Sequence, residues 1–232
     1  VRIFGVDGSQ PQRPYAEIRA STIDGAYLVA LPVVGGEALI ESPIVRDAEP
    51  RATDQLFGRP ISLEPSDLTG LGSSATLRGV LAERGHEVGI HVLASEADIE
   101  ASWVRDIEPR AADQTFGAGI AYTLDIFSQV TASGHASQTV IENVHAAAFA
   151  VAGGTVTASD LQVEDALAQP SGDFGDGIIV SSYLLLIPGI FPSSLELERA
   201  SVSNSNRAGI ASFGADIFVG SSLLDCNTIQ LD

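Results

Sequence analysis

Residues 44–61 read IVRDAEPRATDQLFGRPI, and residues 103–120 read WVRDIEPRAADQTFGAGI. The second stretch follows the first at an offset of 59 in the numbering (103 − 44 = 59), and 12 of the 18 positions are identical. A weaker third copy, VEDALAQPSGDFGDGI, occupies residues 163–178. Internal repeats of this length are typical of solenoids, in which each unit buries its apolar face only against the next. The repeat therefore predicts one elongated domain over residues 1–232, and its start within a repeat predicts a fragment of a longer chain.

Each repeat unit divides into two turns. Gly-Ile pairs or their equivalents fall at Ile61, Ile90, Ile120, Phe149, Ile178 and Ile210, and the residue numbers of successive pairs differ by 29, 30, 29, 29 and 32. Within a turn the apolar residues alternate, as at Ala97, Ile99 and Ala101, and this period of two indicates strands. The sequence therefore predicts an all-β fold, a right-handed parallel β-helix with three short strands in each coil, two coils making one repeat. Columns of apolar residues should fill its interior, among them Ile90, Val92, Ile99, Ile120, Val151 and Ile210.

The charge of the chain limits its partners. There are 30 acidic and 12 basic residues, all of the latter arginine, for a net charge of −18. Such a surface repels phosphate backbones and anionic lipid heads, so nucleic acid is excluded as a partner, whereas cations, basic partners or neutral sugars are compatible. No stretch approaches the ~18 to 20 apolar residues of a membrane span. No cofactor is indicated, and calcium is possible although no motif points to it.

The coils carry a resemblance to known proteins. The segments GIHV (residues 89–92), NSNRAGIAS (204–212) and FGDGIIVS (174–181) resemble coils of right-handed parallel β-helix proteins of the pectin-lyase-like superfamily. The VRDxxPRxxDxxFGxGI turns are similar to those of a family of exported bacterial β-helix repeat proteins. The resemblance covers nearly all of the chain from about Tyr15 and implies a secreted or cell-surface protein. Fold alone does not assign chemistry.

The repeated loop supplies the first candidate site. Arg46, Arg51 and Asp54 recur one repeat later as Arg105, Arg110 and Asp113. By period, these loops leave the rod at one corner on every second coil, ~10 Å apart. They could bind a glycan or a partner protein, or the arginines and acids could brace the loops internally. The loop ends, at Phe57 and Phe116, are expected to be anchored in the core.

Carboxylates supply an alternative. Asp165, Asp173 and Asp176 form the densest acidic group and could line the cleft of a polysaccharide-processing hydrolase or lyase. The sequence blocks of polygalacturonase-like enzymes are missing, and lysine, a usual base in lyases of this fold, is absent. The favoured expectation is a non-catalytic scaffold that presents loops for adhesion or for binding a glycan or surface protein. Exposed end coils could also allow end-to-end self-association.

The histidines do not predict a metal site. His86 and His145 occupy equivalent positions two coils apart, ~10 Å, so they cannot share one ion. We expect each to be a corner residue that bonds to the loop backbone.

Overall fold

The computed structural model describes residues 13–184 and 190–232, and every regular element in these ranges is a β-strand. Three strands form each coil, and the described residues form eight coils. Coils one to four contain β1 Tyr15–Arg19, β2 Thr22–Asp24, β3 Val29–Val34, β4 Glu37–Glu41, β5 Ile44–Arg46, β6 Arg59–Glu64, β7 Ser74–Arg78, β8 Leu81–His86, β9 Val88–Leu93, β10 Glu96–Glu100, β11 Trp103–Glu108 and β12 Ala118–Thr123. Coils five to eight contain β13 Ala132–Ser137, β14 Val140–His145, β15 Ala147–Ala152, β16 Gly154–Ser159, β17 Gln162–Leu167, β18 Asp176–Ser181, β21 Ser194–Glu198, β22 Ser201–Ser203, β23 Ala208–Phe213, β24 Asp216–Gly220, β25 Leu223–Asp225 and β26 Ile229–Leu231, while β19 Tyr183–Leu184 and β20 Ile190–Phe191 form a small antiparallel hairpin between coils six and seven.

The coils stack into three parallel sheets of eight strands each. The first sheet runs β1-β4-β7-β10-β13-β16-β21-β24, the second β2-β5-β8-β11-β14-β17-β22-β25, and the third β3-β6-β9-β12-β15-β18-β23-β26. Within these three sheets, each strand pairs with the equivalent strand of the next coil, and consecutive strands of the chain lie on different sheets. This is a three-sided parallel β-helix, so the predicted all-β solenoid is confirmed.

The two coils of a repeat differ in length. On the first sheet Tyr15 pairs with Glu37, which defines a short coil, and Glu37 pairs with Ser74, which defines a long coil. One short coil and one long coil together span one repeat, from Tyr15 to Ser74. On the third sheet the spacing is nearly even, since Ile61 pairs with Ile90 and Ile90 with Ile120. The difference arises because one long loop precedes β6, β12 and β18 and another follows each of them.

The core consists of columns that run along the rod. Ile61, Ile90, Ile120, Phe149, Ile178 and Ile210 are in register on the third sheet, and all are fully buried. Val92, Ile99 and Val151 are also fully buried, so the predicted core is confirmed. Tyr122 and Phe149 are the largest of these side chains, and their ring centroids lie 5.9 Å apart.

The three corners of the rod are built differently. The first corner, between the first and second sheets, is a tight bend with one left-handed residue in every coil. These residues are Ala20, Ser42, Gly79, Ala101, Gln138, Asp160, Arg199 and Ser221, with φ between 43° and 59°. The second corner, between the second and third sheets, carries long loops at residues 47–58, 109–117 and 168–175. We call them the arginine loops after the first two, since the third contains no arginine. The third corner carries the loops at residues 65–73 and 124–131, which we call the apolar-tip loops.

Among the described residues, no helix has the length and apolar character needed to cross a membrane.

Candidate functional site

The first two arginine loops have the same backbone conformation. In the first, the amide of Arg51 donates to the carbonyl of Leu56 at 2.9 Å, and in the second the amide of Arg110 donates to the carbonyl of Thr115 at 2.7 Å. The loops also touch each other, since the amide of Ala112 donates to the carbonyl of Gln55 at 3.1 Å. Equal sequences therefore give equal loops, as predicted, and neighbouring loops support one another along the corner.

A Phe-Gly pair ends each arginine loop. Phe57 and Phe116 have φ of 67° and 64°, and the glycines that follow them, Gly58 and Gly117, have φ of 94° and 97°. A Cβ on Gly117 would lie 2.6 Å from the Cβ of His145, so only glycine fits this turn. The left-handed turn directs the rings away from the core. Phe116 is 46% exposed, and Phe57 is partly buried but does not pack in the core cluster. The predicted anchoring of these rings in the core is therefore wrong.

The first two arginine loops are each braced by an internal ion pair. The Nε of Arg51 donates to Asp54 at 2.9 Å and the Nε of Arg110 donates to Asp113 at 3.0 Å, and a second hydrogen bond makes both pairs bidentate. The guanidinium groups also stack over the phenylalanine rings, at 5.4 Å from the Phe57 centroid and 4.8 Å from that of Phe116. The hydrogen bond from its arginine lowers the pKa of each aspartate. These arginine and aspartate side chains are therefore paired with each other in each of the two loops.

Arg46 and Arg105 lie on the second sheet rather than in the loops. They belong to one outward column of alternating charge, in which Asp24, Arg46, Glu83 and Arg105 are in register on successive strands. Arg46 contacts Asp24 at 2.8 Å, and Arg105 contacts Glu83 at 2.7 Å. These arginines therefore link one coil to the coil before it.

The three predicted acidic residues occupy different elements. Asp165 lies within β17 on the second sheet, Asp173 lies in the third arginine loop, and Asp176 begins β18 on the third sheet. Asp176 is fully buried and accepts hydrogen bonds from the guanidinium of Arg207, with Nε–Oδ1 at 2.8 Å. Both oxygens of this carboxylate are occupied by one arginine, so Asp176 is a structural anion in this arrangement.

A polar network that the sequence analysis missed lies between the two loop rows, on the outer face of the third sheet. Arg59 donates to Glu87 through Nε at 3.2 Å and Nη2 at 3.0 Å, and to His91 Nδ1 through Nη1 at 2.8 Å. Arg110 reaches the same Glu87 at 3.5 Å. Glu87 and His91 are buried although they face outward. The network therefore ties the second arginine loop to the sheet.

The sequence contains a signal for this network. One repeat later, the positions of Arg59, Glu87 and His91 are occupied by Ala118, Ala146 and Ala150. Three polar residues thus become alanine together, which is expected of residues that contact one another. Comparing the repeats highlights positions that are identical in both copies, whereas the residues of this network differ between the copies.

The hydrogen bonds assign the protonation of His91. Arginine can only donate, so Nδ1 accepts and Nε2–H donates to the hydroxyl of Thr123 at 2.8 Å. Burial, and then the nearby Arg59 cation, hold the pKa of His91 well below its ordinary value. Both ring nitrogens are occupied, so the imidazole acts as a neutral structural link.

Lowering the pH below about 6.5 should destabilise the protein through His91. The unfolded chain then binds a proton that the folded chain does not, so stability falls with pH by at most about 1.4 kcal/mol per unit. The paired aspartates respond in a lower window, because their unfolded pKa is near 3.9. Urea unfolding at pH 7 and pH 5.5 should show a smaller difference for His91→Gln than for the wild type. An equal difference in both proteins would contradict this role.

The repeated histidines bond to the backbone, His86 to a loop as predicted and His145 to strand β11 instead. The Nδ1 of His86 donates to the carbonyl of Pro109, and that of His145 donates to the carbonyl of Ile107, both at 3.2 Å. Across the described ranges, no three His, Cys, Asp or Glu side chains gather in a way that could hold a metal ion.

A shallow open groove of about 510 Å³ crosses the outer face of the first sheet over β16, β21 and β24. Its lining consists of Thr155, Val156, Thr157, Ser194, Leu195, Glu196, Asp216, Ile217 and Phe218. Two outward columns form it, Thr155–Ser194–Asp216 and Thr157–Glu196–Phe218. Glu196, Asp216 and Phe218 are exposed. The groove thus brings hydroxyls, two carboxylates and one aromatic ring together on one open face of the sheet.

Comparisons of the chain with family models, with curated proteins and with solved structures give no match. The class of the protein follows from its geometry, which is that of a three-sided parallel β-helix repeat protein.

Proposed function

We propose that the protein is a non-catalytic β-helix scaffold that binds a neutral glycan in the groove on the first sheet. The observation that carries the proposal is the contrast between the two candidate surfaces. The groove presents exposed carboxylates and an exposed ring, whereas the arginine loops hold their charges in pairs. Groups that are already paired must first be separated before they can bind a ligand, which costs affinity.

The chemistry of the groove suits a sugar. The ring of Phe218 offers a flat apolar surface on which the apolar face of a sugar can lie. Glu196 and Asp216 can accept hydrogen bonds from sugar hydroxyls. The hydroxyl of Ser194 donates to that of Thr155 at 3.3 Å, which leaves the proton of Thr155 free to be donated to a sugar. Because the strands are parallel and in register, these groups lie in two columns across three successive strands, and such an extended row suits a chain of sugars better than a single small molecule.

Electrostatics select a neutral glycan over an acidic one. The lining contains two carboxylates and no basic residue, and the chain as a whole carries −18. A uronate or sulfated polymer would be repelled by this face.

The proposed location is the cell surface or the extracellular space. Its support is the resemblance of the VRDxxPRxxDxxFGxGI turns to those of exported bacterial β-helix repeat proteins of the pectin-lyase-like superfamily. A glycan ligand is consistent with that location.

A glycan array followed by calorimetric titration of neutral oligosaccharides tests the proposal. Phe218→Ala and Glu196→Gln should each weaken binding by about tenfold, equivalent to about 1.4 kcal/mol. Phe127→Ala removes an exposed ring outside the groove and should leave affinity unchanged, as should Arg110→Ala. Loss of binding in Arg110→Ala with normal binding in Phe218→Ala would instead locate the site on the arginine loops. Failure to bind any neutral glycan would refute the proposal.

A further inference from the structure

The two most exposed large apolar side chains in the described ranges occupy equivalent positions. Leu68 is 79% exposed and Phe127 is 91% exposed, and they lie one repeat apart. Each stands at the tip of an apolar-tip loop at the third corner. A single exposed apolar residue needs no explanation, but the same exposure at the same position of two repeats does.

The two loops have the same fold at their tips. In one, the amide of Ser66 donates to the carbonyl of Leu71 at 2.9 Å, and in the other the amide of Asp125 donates to that of Val130 at 3.0 Å. The side chains of Ser66 and Asp125 in turn accept from the amides of Leu68 and Phe127, at 3.3 and 3.0 Å. A hydrogen-bonded turn therefore holds the tip residue outward in both repeats.

Several backbone amides of each tip are paired within the loop. The amides of Ser128 and Gln129 both donate to Asp125, the first to its side chain at 3.4 Å and the second to its carbonyl at 2.8 Å. The amides of Thr69 and Gly70 both donate to the carbonyl of Ser66. Unpaired amides are costly to bring into an apolar medium, and these hydrogen bonds reduce that cost.

The tips form a row rather than a patch. They project from coils two and four at one corner, so they are separated by two strand spacings, ~10 Å. Polar residues, such as Thr69 and Ser128, stand beside each tip. A rigid protein partner would need a separate pocket for each tip, whereas a lipid surface can close around separate points of insertion.

We propose that the apolar-tip loops insert Leu68 and Phe127 into the surface of a neutral lipid layer and so attach the rod along one edge. Ile126, 45% exposed beside Phe127, adds to the inserted surface, while Asp67 remains at the level of the headgroups. Neither residues 65–73 nor residues 124–131 include lysine or arginine, and the chain carries −18, so zwitterionic lipid is preferred to anionic lipid. This inference does not depend on the glycan groove, which lies on the first sheet.

Vesicles of phosphatidylcholine test the proposal directly. The wild type should co-sediment with them, and the Leu68→Ser, Phe127→Ser double variant should partition at least about tenfold less, because two apolar side chains are removed from the contact. Phe218→Ser, which removes an exposed ring from the groove, is the matched control and should partition like the wild type. A Phe127→Trp variant in a Trp103→Phe background should show a blue-shifted emission with vesicles and quenching by brominated acyl chains.

Several results would overturn the proposal. These are failure of the wild type to bind phosphatidylcholine, equal losses in the loop and control variants, tighter binding to phosphatidylglycerol, and a tryptophan emission that vesicles do not change. A Phe127-dependent dimer that forms without vesicle binding would assign the row of tips to a second copy of the chain instead.

Discussion

Replacing Arg207 with alanine should lower the free energy of unfolding by about 3–5 kcal/mol. The partner of Arg207 is Asp176, whose side chain is 0% exposed. After the substitution, the one donor left to that carboxylate among the described residues is the amide of Ala208, at 3.3 Å, so a buried charge loses its counterion. The guanidinium is also held between Phe174 and Phe213, 5.4 Å from each ring centroid, and this packing is lost as well. Urea unfolding measured by circular dichroism gives the change.

The pair of Arg199 and Asp160 is the matched control. It also links successive coils, with Nε–Oδ1 at 2.8 Å, but both side chains are exposed. Arg199→Ala should therefore change stability little. The Arg207→Ala, Asp176→Asn double variant should be more stable than Arg207→Ala alone, since the buried charge is gone. Equal effects of the two arginine substitutions would show that burial of Asp176 does not matter.

Truncating Phe149 to alanine should also cost about 3–5 kcal/mol. The ring is fully buried and fills the column between Ile120 and Ile178, next to the ring of Tyr122. Removing it leaves a cavity that the rigid strands on either side cannot close, and the loss is the transfer energy of the ring plus the cavity term. The midpoint and slope of urea unfolding give the change in free energy.

Phe218→Ala makes the same chemical change at an exposed position and should leave the unfolding midpoint nearly unchanged. Phe149→Leu keeps most of the volume and should cost less than Phe149→Ala. A cost below about 1 kcal/mol for Phe149→Ala would mean that the column is loosely packed, which is incompatible with its complete burial.

The fold could be predicted because its determinants recur. Strand-forming apolar residues must occupy the same face in every coil, so Ile90, Ile120 and Ile210 appear at regular spacing in the sequence itself. However, the even spacing of the Gly-Ile pairs gave no indication that the coils differ in length. Every second Gly-Ile strand has a long loop before it and another after it. Each interval between successive Gly-Ile strands therefore contains one long loop. The other two sheets lack such a recurrent pair, and their alternation of short and long coils was not recognised.

The side-chain contacts were harder to predict from the sequence than the fold. The pairs of Arg51 with Asp54 and Arg110 with Asp113 are local and could be anticipated from the loop alone. The link between Arg59 and Glu87 joins different coils, and it requires the exact register of the third sheet. The positions of Phe57 and Phe116 were misjudged because hydrophobicity favours burial, whereas the left-handed φ of each residue directs its ring outward.

The alternation of short and long coils restricts the ways in which this rod can gain or lose coils. Deleting a short coil or a long coil alone would bring two loop-bearing coils, or two bare ones, into contact. Loops such as residues 47–58 and 109–117 already touch across one intervening coil, through Ala112 and Gln55, so they have no room on adjacent coils. Deleting a bare coil alone is therefore sterically excluded, whereas adding or deleting a whole pair of coils keeps the loops two coils apart. Gain or loss of one whole repeat in the gene preserves both rows of loops.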